Sequence, residues 1–244
     1  MFNSTKISVP IIGMHCSPLS QKFGIPRQPN LVSLPTFIEI LPPYNTEEAF
    51  AGIDAYSHVW VTWQFHKNKH QQNFKPQVRP PRLGGNKKMG VFATRSMYRP
   101  SQLGLSVVEL KGIEVKNGKL LMHIAGADMA DATPIIDIKP YIKYSDSLPT
   151  ARCDFAQEEP IKKTVLMSET ASQQYQQLID ENYLTLQDVA YICQLIEQDP
   201  RPAYRQQEIN SEFVMQYKSV DITFKMNKAF VFEIISCIAI NQNI

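Results

Sequence analysis

Residues 105–125 read LSVVELKGIEVKNGKLLMHIA, with apolar and polar residues alternating on both sides of an Asn-Gly pair. Asn117 and Gly118 between two such runs are the strongest short-range signal for a β-hairpin, because both residue types accept the positive φ angles of a tight turn. We therefore predict strands over residues 105–110, 113–116 and 119–125.

Similar β-rich runs lie upstream of this hairpin, at residues 7–12, 36–41, 58–65 and 89–93. Only residues 47–53 suggest a short helix in this part of the chain. Strands that recur about every 8–12 residues favour an antiparallel sandwich or barrel over a βαβ fold. No Gly-x-Gly-x-x-Gly motif follows a predicted strand, which argues against a Rossmann dinucleotide site.

The composition changes after Gly126, since all ten glycines lie at or before that residue. Residues 168–182 and 185–198 predict two helices, the second opened by a weak variant of a capping box formed by Thr185 and Asp188. Residues 213–217, 220–226 and 229–235 then predict strands. We expect a mainly β protein, with an all-β domain over residues 1–150 and a small α+β domain over residues 155–244.

Charge is distributed unevenly along the chain. Residues 55–108 contain nine Lys or Arg and no Asp or Glu. Ordinary surfaces mix charges of both signs, so this acid-free tract predicts a surface that meets the phosphates of RNA or DNA. Phe92 and Tyr98 lie among these basic residues and suit unstacked bases. The alternative is a solvated basic face that binds no ligand.

Other classes of site have weaker support. The four cysteines lie far apart and form no Cys-x-x-Cys pair, which argues against structural zinc and against a disulfide scaffold. His66 and His70 have the spacing of metal ligands on a helix, but the run before them predicts a strand, so we predict no metal site. Neither a signal peptide nor a membrane span is indicated, and we expect a cytoplasmic protein.

Three carboxylates follow the hairpin within ten residues, at Asp128, Asp131 and Asp137. Such groups can hold a cationic ligand or act as an acid and a base. The alternative, which the residues alone favour, is that the first two shape turns and Asp137 pairs with Lys139 or an arginine. The stiff turn at residues 26–29, Pro-Arg-Gln-Pro, either presents polar groups to a ligand or only connects two strands.

Five strings resemble, in the same order, motifs of the TrmO family, also called TsaA or YaeB. They are FGIPRQPNLV (23–32), HVWVTWQFHKN (58–68), VRPPRLGGNKKMGVFATRSMYRPSQLGLSVVEL (78–110), DATPIIDIKPY (131–141) and DPRPAYR (199–205). The resemblance spans nearly the whole chain. It implies an S-adenosylmethionine-dependent tRNA methyltransferase built on a small antiparallel β-barrel and working as a homodimer. The implied substrate is N6 of threonylcarbamoyladenosine, beside the anticodon of tRNAs that read threonine codons.

The resemblance also implies which residues form the sites. The expected donor pocket consists of Pro26, Arg27, Gln28, His66, Lys67, Arg95, Leu105, Ala125, Gly126, Ala127 and Asp128. The expected tRNA-binding residues are Arg79, Arg82, Lys87, Lys88 and Arg99. The catalytic candidates are Asp128, Asp131 and Tyr141, and the identity of a general base stays open.

The chain departs from the family pattern in two loops. Ser101-Gln102 stands where Asn-Pro is more usual, and Ala132 stands where Gly is common. Residues 236–244 match no family motif. A rival to the enzyme hypothesis is a noncatalytic RNA-binding module that uses the same basic loops without a methyl donor.

Overall fold

The computed structural model describes residues 7–69 and 73–240. Its strands are β1 (Gly13–Cys16), β2 (Pro35–Ile40), β3 (His58–Gln64), β4 (Gln77–Val78), β5 (Met89–Gly90), β6 (Leu103–Lys116), β7 (Lys119–Ala125), β8 (Thr133–Pro140), β9 (Val165–Met167), β10 (Glu212–Tyr217), β11 (Val220–Met226) and β12 (Phe232–Ala239). Its α-helices are α1 (Lys143–Asp146), α2 (Glu169–Asp180) and α3 (Leu186–Glu197). Short 3-10 turns cover Glu47–Phe50, Ile53–Ala55, Pro81–Leu83, Val91–Ala93, Asp154–Ala156 and Ala203–Arg205.

Six strands close into an antiparallel barrel in the order β1-β2-β7-β6-β3-β8. Along β3 the side chains of Val59, Val61 and Trp63 are buried and alternate with more exposed residues. This period of two directs one face of each strand into the barrel core. The closed barrel confirms the mainly β prediction and decides between the two architectures that strand spacing left open.

The Asn-Gly hairpin is confirmed, with one difference in its strands. Asn117 and Gly118 have φ angles of 52° and 74°, as a type I′ turn requires. Residues 105–110 and 113–116, predicted as two strands, belong to the single strand β6. The pairing of β6 with β7 shifts between Leu110 and Gly112, and Gly112 has a φ of 128°. A bulge at this glycine therefore bends the strand without ending it.

Three predictions in the first domain were wrong, and β8 was not predicted. The strand predicted over residues 89–93 is limited to Met89–Gly90, and Val91–Ala93 form a 3-10 turn. Residues 7–12 form no strand, and pairing begins at Gly13; Pro10 has no amide proton to donate to a ladder. The predicted helix at residues 47–53 is two 3-10 turns separated by Gly52, whose φ is 85°. β8 was missed, because its sequence TPIIDIKP contains Pro134 and Pro140 and its first three residues are all buried instead of alternating.

The second domain has a four-stranded sheet in the order β10-β11-β12-β9, in which β9 runs parallel to β12 and the other pairs are antiparallel. Both predicted helices are present. The capping box at α3 is complete, because Thr185 Oγ1 accepts from the amide of Asp188 and the carboxylate of Asp188 accepts from the amide of Thr185. The last strand begins later and runs further than predicted.

The connection between β1 and β2, residues 17–34, packs into the core of the second domain. Leu19, Val32 and Leu34 are almost fully buried in that core. The ring of Phe23 stacks on those of Phe213 and Phe224, with centroids 6.3 and 6.2 Å apart. This connection contains the Pro-Arg-Gln-Pro turn, so its position depends on both domains.

Candidate functional site at one end of the barrel

One end of the barrel collects the segments that carry the expected donor pocket. Because neighbouring strands are antiparallel, β1, β7 and β3 finish at this end, where β2, β6 and β8 begin. Three connections meet there, residues 17–34, 65–102 and 126–132. We call this the site end. All the expected donor-pocket residues lie on these connections except Leu105 and Ala125, which sit near the same ends of β6 and β7.

Gly126 joins two of these connections. Its amide donates to the carbonyl of Leu34 over 3.3 Å, and its carbonyl accepts from the amide of Asn30 over 2.8 Å. The φ of Gly126 is 82°, and a Cβ atom there would collide with Oδ1 of Asn30. Glycine is therefore required both for the backbone conformation and for the close approach of residues 17–34.

Asp128 ends a short chain of hydrogen bonds from the barrel interior. The indole Nε1 of Trp63 donates to Oγ of Ser106 over 3.0 Å, and that hydroxyl donates to Oδ1 of Asp128 over 2.5 Å. Burial raises the pKa of Asp128 to about 6, while the Ser106 hydroxyl and the charge of Arg95 oppose the rise. The carboxyl group is thus mostly ionised at pH 7, at a cost in stability, and changes protonation within the neutral range.

The basic tract and the Pro-Arg-Gln-Pro turn meet beside Asp128. Nη1 of Arg95 donates to Oε1 of Gln28 over 2.7 Å. The same guanidinium acts on the carboxylate of Asp128 and favours its ionised form. The structure therefore brings together three expected pocket residues that lie far apart in the sequence.

His66 and Asp131 lie on neighbouring connections of the site end, after β3 and before β8, two strands that pair in the barrel. The carboxylate of Asp131 accepts from the amide of Ser17 over 2.9 Å, so it links the connection at residues 126–132 to the connection at residues 17–34. Burial lowers the pKa of His66, the charge of Lys67 lowers it further, and the charge of Asp131 acts in the opposite direction. The imidazole is therefore neutral at pH 7, with a carboxylate within electrostatic reach.

His15 is a positioning residue that the sequence did not single out. Its side chain is fully buried, and its ring nitrogens contact the carbonyl of Ala130 at 3.0 Å and the hydroxyl of Thr36 at 2.9 Å. Burial lowers the pKa of His15 to about 4, so the ring is neutral. The carbonyl of His15 also accepts from the amide of Ala132, which has a φ of 58° at the place where the family pattern has glycine. Alternation along β1 is the one signal that could have placed His15 inside the barrel.

Arg27 contacts the second domain. Its Nη2 donates to the carbonyls of Asp199 and Arg201, over 3.2 and 2.7 Å. The Arg201 side chain is fully buried, with Nε donating to the carboxylate of Asp199 over 2.8 Å and Nη2 over 2.9 Å. Pro26, the preceding residue, is buried as well. The Asp-Pro-Arg-Pro motif of the second domain therefore holds the Pro-Arg-Gln-Pro turn in place.

Tyr141 is not brought together with the other catalytic candidates. Its amide donates to the carbonyl of His58, and its ring centroid lies 6.2 Å from that of Trp60. These residues mark the end of the barrel opposite the site end. The eight residues of β8 lie between Tyr141 and Asp131, and a strand of that length spans about 24 Å. Within one chain, Tyr141 cannot line a pocket with Asp128.

The expected tRNA-binding residues differ in the contacts that their side chains make within the protein. Arg79, Lys87 and Lys88 are exposed around the hairpin of β4 and β5. Arg82 instead donates from Nη2 to the carbonyl of Glu158. Arg99 donates to the carbonyls of Ser96 and Thr94, over 3.2 and 2.6 Å, and so organises its own loop. Among the described residues, no ion pair involves a basic residue of the acid-free tract.

Two other sequence inferences concern metals and membranes. Within residues 7–69 and 73–240, no group of three or more His, Cys, Asp or Glu side chains is arranged to hold a metal ion. His70, the partner considered for His66, lies outside the described residues. In the same ranges, no helix combines the length and apolar character needed to cross a membrane.

Oδ2 of Asp137 lies 3.7 Å from Nζ of Lys139. This is the ion pair proposed from the sequence as the alternative to a catalytic role for Asp137.

Comparisons with known proteins agree with this architecture. Models of the tRNA-methyltransferase O N-terminal domain and the TrmO C-terminal domain match residues 14–147 and 160–239. The chain is 42% identical over 199 residues to a tRNA (adenine(37)-N6)-methyltransferase of Escherichia coli K12, covering 81% of this chain and 83% of that protein. It is 40% identical over 217 residues to a Pseudomonas aeruginosa protein named putative S-adenosylmethionine-dependent methyltransferase RcsF, covering 88% and 90%. A crystal structure of TrmO from Pseudomonas aeruginosa superposes with a TM-score of 0.77 at 30% identity, covering 96% and 99%.

Proposed function

Since this chain belongs to the TrmO family of tRNA methyltransferases, we propose that it methylates N6 of threonylcarbamoyladenosine beside the anticodon of threonine tRNAs, with S-adenosylmethionine as donor. The observation that carries the proposal is the largely buried carboxylate of Asp128 at the site end. Ser106 and Arg95 hold it ionised against the effect of burial. A carboxylate kept charged at such a cost suits a cationic ligand.

The residues at the site end fit the methyl donor. A bound S-adenosylmethionine supplies an electrophilic methyl group on a positively charged sulfur. Asp128 and Asp131 provide negative charge for that cation, from outside the acid-free tract. Leu105 keeps 57% of its surface exposed at the start of β6 and offers an apolar contact for a purine ring. Gly126 holds the backbones of residues 17–34 and 126–132 together, and both connections carry expected donor-pocket residues.

Two groups have distinct roles in the proposed reaction. Asp128 stabilises the donor cation, because its hydrogen bond from Ser106 and its proximity to Arg95 favour the ionised state. The imidazole of His66, neutral at pH 7, accepts the proton that N6 loses as it gains the methyl group. The negative charge of Asp131 then stabilises the imidazolium. Alignment of donor and acceptor supplies most of the rate, since methyl transfer to nitrogen needs no covalent intermediate with the protein.

A mass measurement tests the reaction. Purified protein is incubated with S-adenosylmethionine and threonine tRNA that carries threonylcarbamoyladenosine, and the digested nucleosides are analysed by mass spectrometry. The expected product is threonylcarbamoyladenosine with one additional methyl group. The matched control is the same tRNA without the threonylcarbamoyl group, which should gain none. Methylation of the control would overturn the substrate assignment but not the methyltransferase activity.

The rival function makes a different prediction. A noncatalytic RNA-binding module would bind tRNA but show neither heat of binding nor a thermal shift with S-adenosylmethionine. Unchanged nucleosides together with that result would support the rival.

Assembly, location and domain limits are also proposed. We propose a cytoplasmic homodimer with domains at residues 1–150 and 155–244, because the family resemblance implies the dimer and residues 147–164 hold only one 3-10 turn. A monomeric mass by light scattering at working concentration would overturn the dimer. Limited proteolysis should cut first between residues 147 and 164.

A further inference from the structure

Two exposed phenylalanines flank the small hairpin of β4 and β5. Phe74 is 59% exposed and Phe92 is 75% exposed, yet their rings stack with centroids 6.2 Å apart and planes 26° apart. Phe74 lies three residues before β4 and Phe92 two residues after β5, so the strand pairing brings the two rings together. Large apolar rings left in solvent as an ordered pair indicate a binding surface.

The backbone beneath this pair is held in place. Val91, next to Phe92, is 1% exposed, and its amide donates to the carbonyl of Pro76 over 2.9 Å. The hydroxyl of Thr94 donates to the carbonyl of Val91, also over 2.9 Å. The turn that presents Phe92 is thus anchored on both sides, so a ligand that stacks there meets a preorganised ring.

The surroundings of the pair match a nucleic acid. Both rings lie in the acid-free tract, and the hairpin between them exposes Arg79, Lys87 and Lys88. Aromatic faces on a positively charged surface are the features with which proteins hold single-stranded nucleic acid. Two copies of this chain meeting at the pair would bring like charges together, which disfavours self-association here.

The pair also lies close to the proposed reaction site. Phe92 and Arg95 are three residues apart, so their backbones are at most about 11 Å apart. Arg95 contacts Gln28 and acts electrostatically on Asp128. A nucleotide stacked on the pair would therefore be near the nucleotide that enters the site end.

We propose that Phe74 and Phe92 form a stacking platform for an unpaired base of the tRNA anticodon loop, adjacent to the nucleotide that is methylated. The platform deepens the proposed function and rests on it. It supplies affinity through the face of a base, whereas the lysines of the hairpin supply it through phosphate charge. Stacking on aromatic side chains tolerates any base, so the platform positions the loop without reading its sequence.

The test separates stacking from charge. The affinity of the full chain for threonine tRNA is measured by fluorescence anisotropy over a series of salt concentrations, for the wild type, Phe92→Ala, Phe92→Trp and Lys88→Ala. Phe92→Ala should weaken binding about tenfold without changing the slope of log affinity against log salt. Phe92→Trp should restore the affinity. Lys88→Ala should instead reduce the slope by about 0.7.

Further readouts decide among the explanations. Affinity for S-adenosylmethionine should be equal in all four proteins; a loss in Phe92→Ala would show that the ring acts through the fold of the loop and would overturn the platform. A Phe92→Ala protein that changes from dimer to monomer by light scattering would assign the pair to protein contact instead. Wild-type tRNA affinity in Phe92→Ala would overturn the platform and leave the methyltransferase function standing. Failure of the wild type to methylate tRNA would overturn the function, while the anisotropy still reports on stacking.

Discussion

Replacing Asp128 with asparagine is expected to stabilise the fold while it weakens donor binding. Burial raises the pKa of Asp128 to about 6, from an ordinary value of 3.8. The unfolded chain therefore releases this proton at a lower pH than the folded protein does. Folding takes up a proton between about pH 4 and pH 6, so the wild type loses stability as the pH rises through that range.

The magnitude follows from the two pKa values. The cost of ionising Asp128 in the folded protein is about 1 kcal/mol at pH 4.5 and about 3 kcal/mol at pH 7.5. Asparagine keeps an oxygen that accepts from Ser106 and has no charge to desolvate. Since Asp128 keeps a partial opening to solvent, about 3 kcal/mol is the upper bound of the gain.

Urea unfolding of both proteins at the two pH values measures this gain. Asp137→Asn is the matched control, because its carboxylate is exposed and lies 3.7 Å from Lys139; its effect should stay within about 0.5 kcal/mol. The affinity of Asp128→Asn for S-adenosylmethionine, measured by calorimetry at pH 7.5, should fall at least about tenfold, the effect of losing about 1.4 kcal/mol. If Asp128→Asn is no more stable than the wild type at pH 7.5, or gains the same stability at both pH values, the ionised Asp128 carboxylate does not destabilise the fold and the prediction is refuted.

Three further predictions concern the site end and the second-domain motif that contacts it. Gly126→Ala should cost at least about 2 kcal/mol in unfolding free energy and weaken donor binding. The control is Gly118→Ala, which has a similarly positive φ but open space around it; it should cost about 1 kcal/mol and leave donor binding intact. Equal effects of the two variants on stability and on donor binding would contradict the proposed contact between Gly126 and Asn30. Asp199→Asn leaves the buried guanidinium of Arg201 without its counter-charge and should lower stability by about 3–5 kcal/mol in urea unfolding. His66→Gln should lower kcat about 100-fold and keep tRNA affinity; an unchanged kcat would assign the proton acceptor elsewhere.

Local signals accounted for the elements that the sequence predicted correctly. The turn at Asn117 and Gly118 needs only two residues with positive φ, and the start of α3 needs only Thr185 and Asp188. Where an element is defined by contacts with distant segments of the chain, the sequence did not predict it. β8 pairs with β1 and β3, more than 60 residues away, and its first three residues are all buried instead of alternating.

The candidate site likewise contains residues that the sequence predicted and contacts that it did not. Family motifs pointed to Gln28, Arg95 and Asp128, and the structure brings these three together. They also pointed to Tyr141, which lies at the other end of the barrel. No motif indicated that the hydroxyl of Ser106 would hold the Asp128 carboxylate, because that contact depends on the register of β6 against the turn after β7.

The sequence by itself determined the Asn-Gly hairpin, the two helices with the capping box of the second, the acid-free tract and the family motifs. These depend on conformational preferences and charges of neighbouring residues, which the order of amino acids contains directly. Only the tertiary structure decided which loops share one end of the barrel, that Asp128 is buried enough for its pKa to reach about 6, and that Arg27 contacts the second domain. Burial and cross-strand contacts join residues that are 20 to 170 positions apart, and they exist only once the barrel has closed.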